Sequence, residues 1–386
     1  MKARRPWLVA ALAIAALVAA LGLWWNSRPA EAPTASAISS NPAGSNSVSE
    51  PKSAAIKPDP SDPLSTGLLA ARASLQDGQD AGKSRQQLAE LRQALASADA
   101  AAASVAIRRF LDSGTDSPTG DVFRLGPGGS LVGAPSLRVF LLDLLAKIDP
   151  QAAVTYSKQI LETPGSPDEW AVALRIIARL DSAPDTKEFL EQKTVAMLHQ
   201  ESWASNPSTG FLEAFDVAVH LGGIKLLPPL TSFVQQKDNQ AVAHAAFLAL
   251  DRMVIREPAT MLDELEQHPE LLQGREETRA NYFARADVGE AAQRRLVESY
   301  MLDATRSPTE LNTFAGIFPN ANYMISQNLL TENITPDRAT LARRDVDALR
   351  VVGEWLSDPR FASLKPQLLK IQQRLQEFVR QAAASR

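Results

Sequence analysis

Three groups of residues have types and spacings that bear on chemistry: the histidines, a cluster of aspartates, and two glycine- or asparagine-rich loops. His199, His220, His244 and His268 recur at intervals of 21 to 24 residues. None stands at the i, i+4 spacing by which one helix presents two imidazoles to zinc. The chain has no cysteine, so thiolate ligation, disulfides and cysteine nucleophiles drop out together. No metal site is expected. Asp112, Asp116 and Asp121 crowd into "FLDSGTDSPTGD". Hydrolysis by aspartates needs two carboxylates sharing a proton, and this stretch follows a helical pattern, with Gly114 placed to cap it in the left-handed conformation. "FRLGPGGSLVGAPS" follows, and Gly126, Gly128, Gly129 and Ser130 in it form a candidate binding loop. Free amides ahead of a helix suit an anion. The loop lacks the Gly-Lys-Ser/Thr ending of a phosphate-binding loop and the glycine spacing of a dinucleotide site, so no cofactor is implied. Its simplest form is a hairpin with arms at residues 122–125 and 130–132 and Gly-Pro-Gly-Gly as the turn. Asn320, Asn322, Tyr323 and Met324, in "FPNANYMISQNLL", form a candidate contact surface of amphipathic groups on a polar loop leading into a helix. Asn333, Ile334 and Thr335 spell a glycosylation sequon.

The elements that must position these residues start with an apolar run. Residues 7–25 contain no charge and no Ser, Thr, Asn or Gln. As a helix they cover roughly 28 Å, close to the thickness of a bilayer's hydrocarbon core. Trp7 stands at one end and Trp24 and Trp25 at the other, as in an aromatic belt. The run is longer than the apolar core of a secretory signal, and Pro33 directly follows the best-placed small-x-small pattern, Ala30 to Ala32. It therefore reads as a transmembrane signal anchor. Lys2, Arg4 and Arg5 precede it and only Arg28 closely follows, so residues 1–6 form a cytoplasmic tail and the body lies outside, in the periplasm of a cell with two membranes. Cleavage would instead release a soluble secreted form. Residues 26–63 are Ser, Ala, Pro, Asn and Gly with few large apolar side chains. They read as a disordered linker with a reach of roughly 35 Å.

From residue 64 to residue 386 helical periodicity dominates. Alanine is abundant and aromatics make up 6% of the chain, a mixture that suits closely packed helices better than a β-sandwich. "LRVFLLDLLAKIDP", "WAVALRIIARLDSAP", "AFLALDRMVIREP" and "LRVVGEWLSDP" share one grammar: an apolar helix, an acidic or polar stop, proline, then a second helix. Ser307 with Pro308 and Thr335 with Pro336 read as further helix starts. Leu364, Leu368, Ile371, Leu375 and Phe378 give the last helix one apolar face. The net charge is −4 and no basic cluster stands beyond the N-terminal tail, so a nucleic-acid partner has no electrostatic support.

Leu137, Leu174, Phe215 and Phe247 open comparable segments 32 to 41 residues apart, the period of stacked supersecondary units. The clearest unit spans residues 214–253: Leu221 and Gly222 end one helix, Leu226, Leu227, Pro228, Pro229 and Leu230 begin the next, and Val242, Ala243, Ala245, Ala246, Ala249 and Leu250 open the following one. This unit resembles HEAT repeats, with His244 and Asp251 where that family often carries arginine and glycine. The resemblance implies an α-solenoid whose stacked helix pairs bind protein partners. Asp112 to Thr115 resembles the catalytic loop of aspartic proteases, but in a single copy and outside strand-rich lobes. The expectation is an all-α, membrane-tethered, extracytoplasmic scaffold or adaptor that is not an enzyme. The alternative is an envelope-associated hydrolase with its site near residues 112–136.

Overall fold

The computed structural model describes residues 62–76, 80–236 and 238–384. The proposed anchor, and the linker as far as residue 61, lie outside the described residues. Asp62 and Pro63, read above as the end of the linker, belong to the folded body. The Asp62 carboxylate accepts from the amides of Leu64 and Ser65 and from the Ser65 hydroxyl, which starts the first helix.

That helix, α1 (Pro63–Gln76), is followed by α2 (Ala81–Ser97) and α3 (Ala100–Asp112). A two-stranded antiparallel hairpin comes next, β1 (Arg124–Leu125) and β2 (Leu131–Gly133), joined by a 3-10 turn at Pro127–Gly129. Then run α4 (Leu137–Ile148), α5 (Pro150–Ile160), α6 (Pro167–Leu180), α7 (Thr186–Leu198) and the short α8 (Glu201–Ser205), α9 (Thr209–Glu213) and α10 (Phe215–Leu221). The chain continues through α11 (Leu227–Gln235), α12 (Gln240–Arg256), α13 (Pro258–Gln267), α14 (Glu276–Phe283), α15 (Ala291–Leu302) and α16 (Pro308–Ile317). After an irregular stretch, α17 (Arg338–Ser357) and α18 (Lys365–Ala384) close the body.

Polar stops cap several helices, with proline next at Asp149, Ser166 and Ser307 and without it at Ser136 and Asn239, whereas Glu257 before Pro258 makes no side-chain cap. Ser136, Asp149, Ser166, Asn239 and Ser307 each accept a hydrogen bond from an amide in the first turn of the helix that follows, satisfying a donor that the helix itself leaves unpaired. Gly114 has φ +66, the left-handed conformation expected after α3. Thr335 and Pro336 do not open α17. Asp337 does, through the Thr340 amide at 2.7 Å.

Alternate helices pack into two layers. α4, α6, α9 with α10, α12, α14 and α16 contact one another in order, and α5, α7, α11 and α13 pack on them from the other side. The described residues thus form an all-α body of packed helix pairs with one small hairpin, compatible with a helical repeat. Its few rings are used in series. Trp170, Trp203, Phe211, Phe215 and Phe233 touch edge to face or tilted, and Phe283, Tyr300, Phe314, Phe318, Trp355 and Phe361 form a second string.

Charged side chains also run through this core. Arg138 on α4 pairs in two-pronged fashion with Glu169 on α6, and Asp143 on α4 pairs with Arg175 on α6. Asp216 on α10 meets Arg252 on α12 at 2.6 Å, Asp251 on α12 meets Arg285 beyond α14 at 2.8 Å, and Arg279 on α14 meets Glu310 on α16 at 2.7 and 2.8 Å. Each pair ties one helix of the first layer to the next. Burying such ions costs several kcal/mol each, which their attraction roughly offsets. The pairs therefore act on register more than on net stability.

Glu310 is fully buried, so Glu310→Ala strands the Arg279 guanidinium and is expected to cost about 3–5 kcal/mol in urea unfolding. Arg279→Met with Glu310→Leu is expected to cost less than that single substitution. A double variant at least as unstable as Glu310→Ala would contradict this account.

Candidate functional site

Residues 318–337 form no helix or strand. They leave α16 at the cis Phe318–Pro319 bond and lie as a strap across the ladder of arginines and aspartates. Most of the bonds holding them go to the strap's main chain. Arg285 donates to the carbonyls of Asn320, at 3.2 Å, and Asn322, at 2.8 Å. Arg179 donates to Leu329 O at 2.8 Å, and Arg256 to Glu332 O at 2.8 Å. The Asp216 carboxylate accepts from the amides of Leu330 and Thr331, at 2.6 and 2.9 Å, and from the Thr331 hydroxyl at 2.6 Å. Arg252 bonds both Asp216 and that hydroxyl.

The strap also braces itself. Asn333 donates to Ser326 O at 2.8 Å, and Asn328 donates to Thr331 O at 3.0 Å and to Asn333 Oδ1 at 3.2 Å. The side chain of the sequon asparagine is thereby committed to the strap's own fold.

Of the two surfaces named from the sequence, the glycine turn packs against this strap and the contact surface is part of it. Gly128 O accepts from Arg179 at 2.6 Å and Gly129 O from Arg175 at 2.8 Å, so the hairpin turn and the strap share the Arg179 guanidinium. Ser130 donates to Pro127 O within the turn, and the Gly126 amide donates to Ser130 O. The glycine loop is therefore a hairpin packed on the ladder. Asn320 is buried, Asn322 donates its amide to Asn320 Oδ1, and the Tyr323 ring lies 5.2 Å from the Arg285 guanidinium and takes a bond from Arg344 at its hydroxyl. Met324 and Ile325 are 55% and 75% exposed. The segment does not lead into a helix near Leu330 as its polarity pattern suggests, because Asp216 holds the Leu330 and Thr331 amides outside a helical ladder.

A cleft opens between the strap and α12, with Leu248, Ile255, Met324 and Ile334 on its apolar sides and Arg252 and Glu332 among its polar ones. Beside the clamp that Asp216, Arg252, Arg179 and Arg256 form on the strap, burial and then the Asp216 charge push the Glu213 carboxyl up to about 7. Burial lowers the His220 imidazole below its usual value, and burial followed by the neighbouring Arg175 charge does the same to Arg179.

The two aspartates that follow the protease-like string bond within the local fold. Asp116 accepts from the amides of Ser117 and Arg138, and Asp121 lies against Arg85 and Arg124. The histidines are dispersed: His199 bonds Val195 O, His244 stacks on Phe247 and His268 faces Glu264 and Glu270. Among the described residues no group of three His, Cys, Asp or Glu side chains is placed to hold a metal, and no helix is long and apolar enough to cross a membrane. The ladder residues were legible only as an oddity, charges inside apolar helices: Asp143 in "FLLDLLAK", Arg175 in "VALRIIA", Asp216 in "AFDVAV" and Asp251 in "LALDRM". In comparisons with known protein families, curated proteins and solved structures, the chain matches none.

Two expectations follow from this geometry. Gly129 has φ +67, and a β-carbon there would lie 2.3 Å from Leu329 O and 2.7 Å from Asn328 O. Gly129→Ala adds a left-handed penalty of about 1–2 kcal/mol and pushes on the strap, so faster amide exchange at Leu330 and Thr331 is expected, with the exchange of α12 little changed. Glu213 carries a folded-state pKa above its ordinary value of 4.5. Its favourable contribution is complete below that value and is lost as pH rises through about 7. Glu213→Gln should leave stability at low pH unchanged and gain roughly 1–2 kcal/mol above neutrality, read by urea unfolding across pH. A gain independent of pH would refute the assignment.

Proposed function

We propose that the chain is a membrane-tethered, extracytoplasmic scaffold of HEAT-like helix pairs that holds a protein partner on its ladder face. The observation that carries this reading is that the face already holds a polypeptide, residues 318–337, largely by the strap's main-chain amides and carbonyls. A surface of this kind recognises polypeptide as such. Exposed Met324, Ile325 and Ile334 beside the cleft supply apolar contact area that a partner could bury. The tether rests on the length and flanks of residues 7–25, and the HEAT-like reading on residues 214–253 together with the two-layer packing.

A photocrosslinking residue at Met324 or Ile325 in the full chain, expressed in intact membranes, is expected to capture one partner reproducibly. The same residue at exposed Ile224, ahead of α11, is expected not to. The chain should stay with the membranes after an alkaline carbonate wash, and a form lacking residues 1–25 should not. No reproducible adduct from the strap, or adducts from all positions alike, would sink the scaffold reading. Loss of the full chain from washed membranes would sink the tether.

A further inference from the structure

We infer that residues 326–334 are a built-in occupant of a polypeptide-binding site, and that a partner segment presenting the same chemistry competes with them. This rests on the scaffold reading and names the partner's chemical class. The site consists of Asp216, Arg252, Arg179 and Arg256, held by α10, α12 and α6. It asks little of its occupant's side chains. It takes two consecutive amides and a hydroxyl at Asp216, one carbonyl at Arg179 and one at Arg256. Between residues 319 and 337 only Asn320, Asn328 and Leu329 are buried, so Leu329 is the main apolar anchor of that stretch, with Leu330 partly buried beside it. The occupant's pattern is an apolar residue followed two positions later by serine or threonine, here Leu329 and Thr331. An uncharged polypeptide segment with that pattern satisfies every donor and acceptor the strap now satisfies.

The strap is also placed to yield. Residues 324–327 are exposed, and the cleft against α12 gives an incoming side chain a place beside the strap before the clamp opens. Tethering gives the strap an effective concentration in the millimolar range. A free segment must compete with that, so the strap sets an affinity threshold for the partner.

The test uses the full chain in detergent and a fluorescent synthetic peptide of residues 319–334, titrated by anisotropy. Replacing residues 323–334 by a Gly/Ser stretch of equal length is expected to raise peptide affinity at least ~10-fold over the unmodified chain. Thr331→Val in the peptide, or Asp216→Ala in the strap-replaced chain, is expected to remove at least ~10-fold of it. A strap-replaced chain with unchanged helical circular dichroism that fails to bind overturns the inference. So does binding that is indifferent to both substitutions. If the replaced chain does not fold, hydrogen exchange on the unmodified chain decides the matter. Leu330 and Thr331 amides that exchange at least ~100-fold faster than those of α12, by local opening, uphold the inference, and equal protection overturns it. Peptide exchange without a crosslinked partner would locate the failure in the scaffold reading, whereas a crosslinked partner without peptide exchange would locate it here.

Discussion

The Asp216 carboxylate takes hydrogen bonds from four donors on two distant parts of the chain: Arg252, the amides of Leu330 and Thr331, and the Thr331 hydroxyl. An ionised carboxylate this deeply buried is tolerated only when its lone pairs are occupied. That requirement fixes much else. It brings α10 and α12 into register through Arg252, it keeps residues 330 and 331 from joining a helix, and it draws Leu329 into the core, where Arg179 joins it to the hairpin turn. Asp216, Arg252, Arg179 and Arg175 thus link the middle of the ladder, the strap and the glycine loop into one polar system.

This system accounts for how a chain with few aromatics and no disulfide keeps its helix pairs in a single arrangement. A two-pronged pair such as Arg285 on Asp251 or Arg279 on Glu310 is satisfied in one register alone. The aromatic string supplies burial, and the ion pairs supply the reference points along it.

What could be read in advance follows the range of the interactions. Helix starts at Ser136, Asp149, Ser166 and Ser307 are set by contacts within three residues, and so they are visible in "SPDEW" or "SPTEL". The hairpin is visible for the same reason: Gly-Pro-Gly-Gly dictates its own turn. Thr335 and Pro336 look equally like a helix start. The chain is delivered to Asp337 instead because contacts more than a hundred residues away in sequence, from Asp216 and Arg179, hold the preceding segment. No local rule contains that information. Asp143, Arg175, Asp216 and Asp251 show on their own that a charge sits where burial is expected. They do not show which opposite charge answers it, because each partner lies 32 to 36 residues away.

The glycine loop and the asparagine-rich strap were legible as unusual compositions and not as neighbours, although the turn and Leu329 of the strap share one guanidinium. Arg179 is what makes them a single site, and in the sequence it is an unremarked residue near the end of α6. Its donors reach the Gly128 carbonyl on one side and the Leu329 carbonyl on the other, which is possible only because Gly129 leaves no β-carbon between them. A glycine read as an anion-binding amide therefore acts through the absence of its side chain, and the charge at the site belongs to the helix beneath it. The chemistry of this face is thus cationic toward carbonyl oxygens at Arg179, Arg256 and Arg285, and anionic toward amides at Asp216. That alternation is complementary to a polypeptide backbone, and it is the physical basis for reading the face as a place where chain is held.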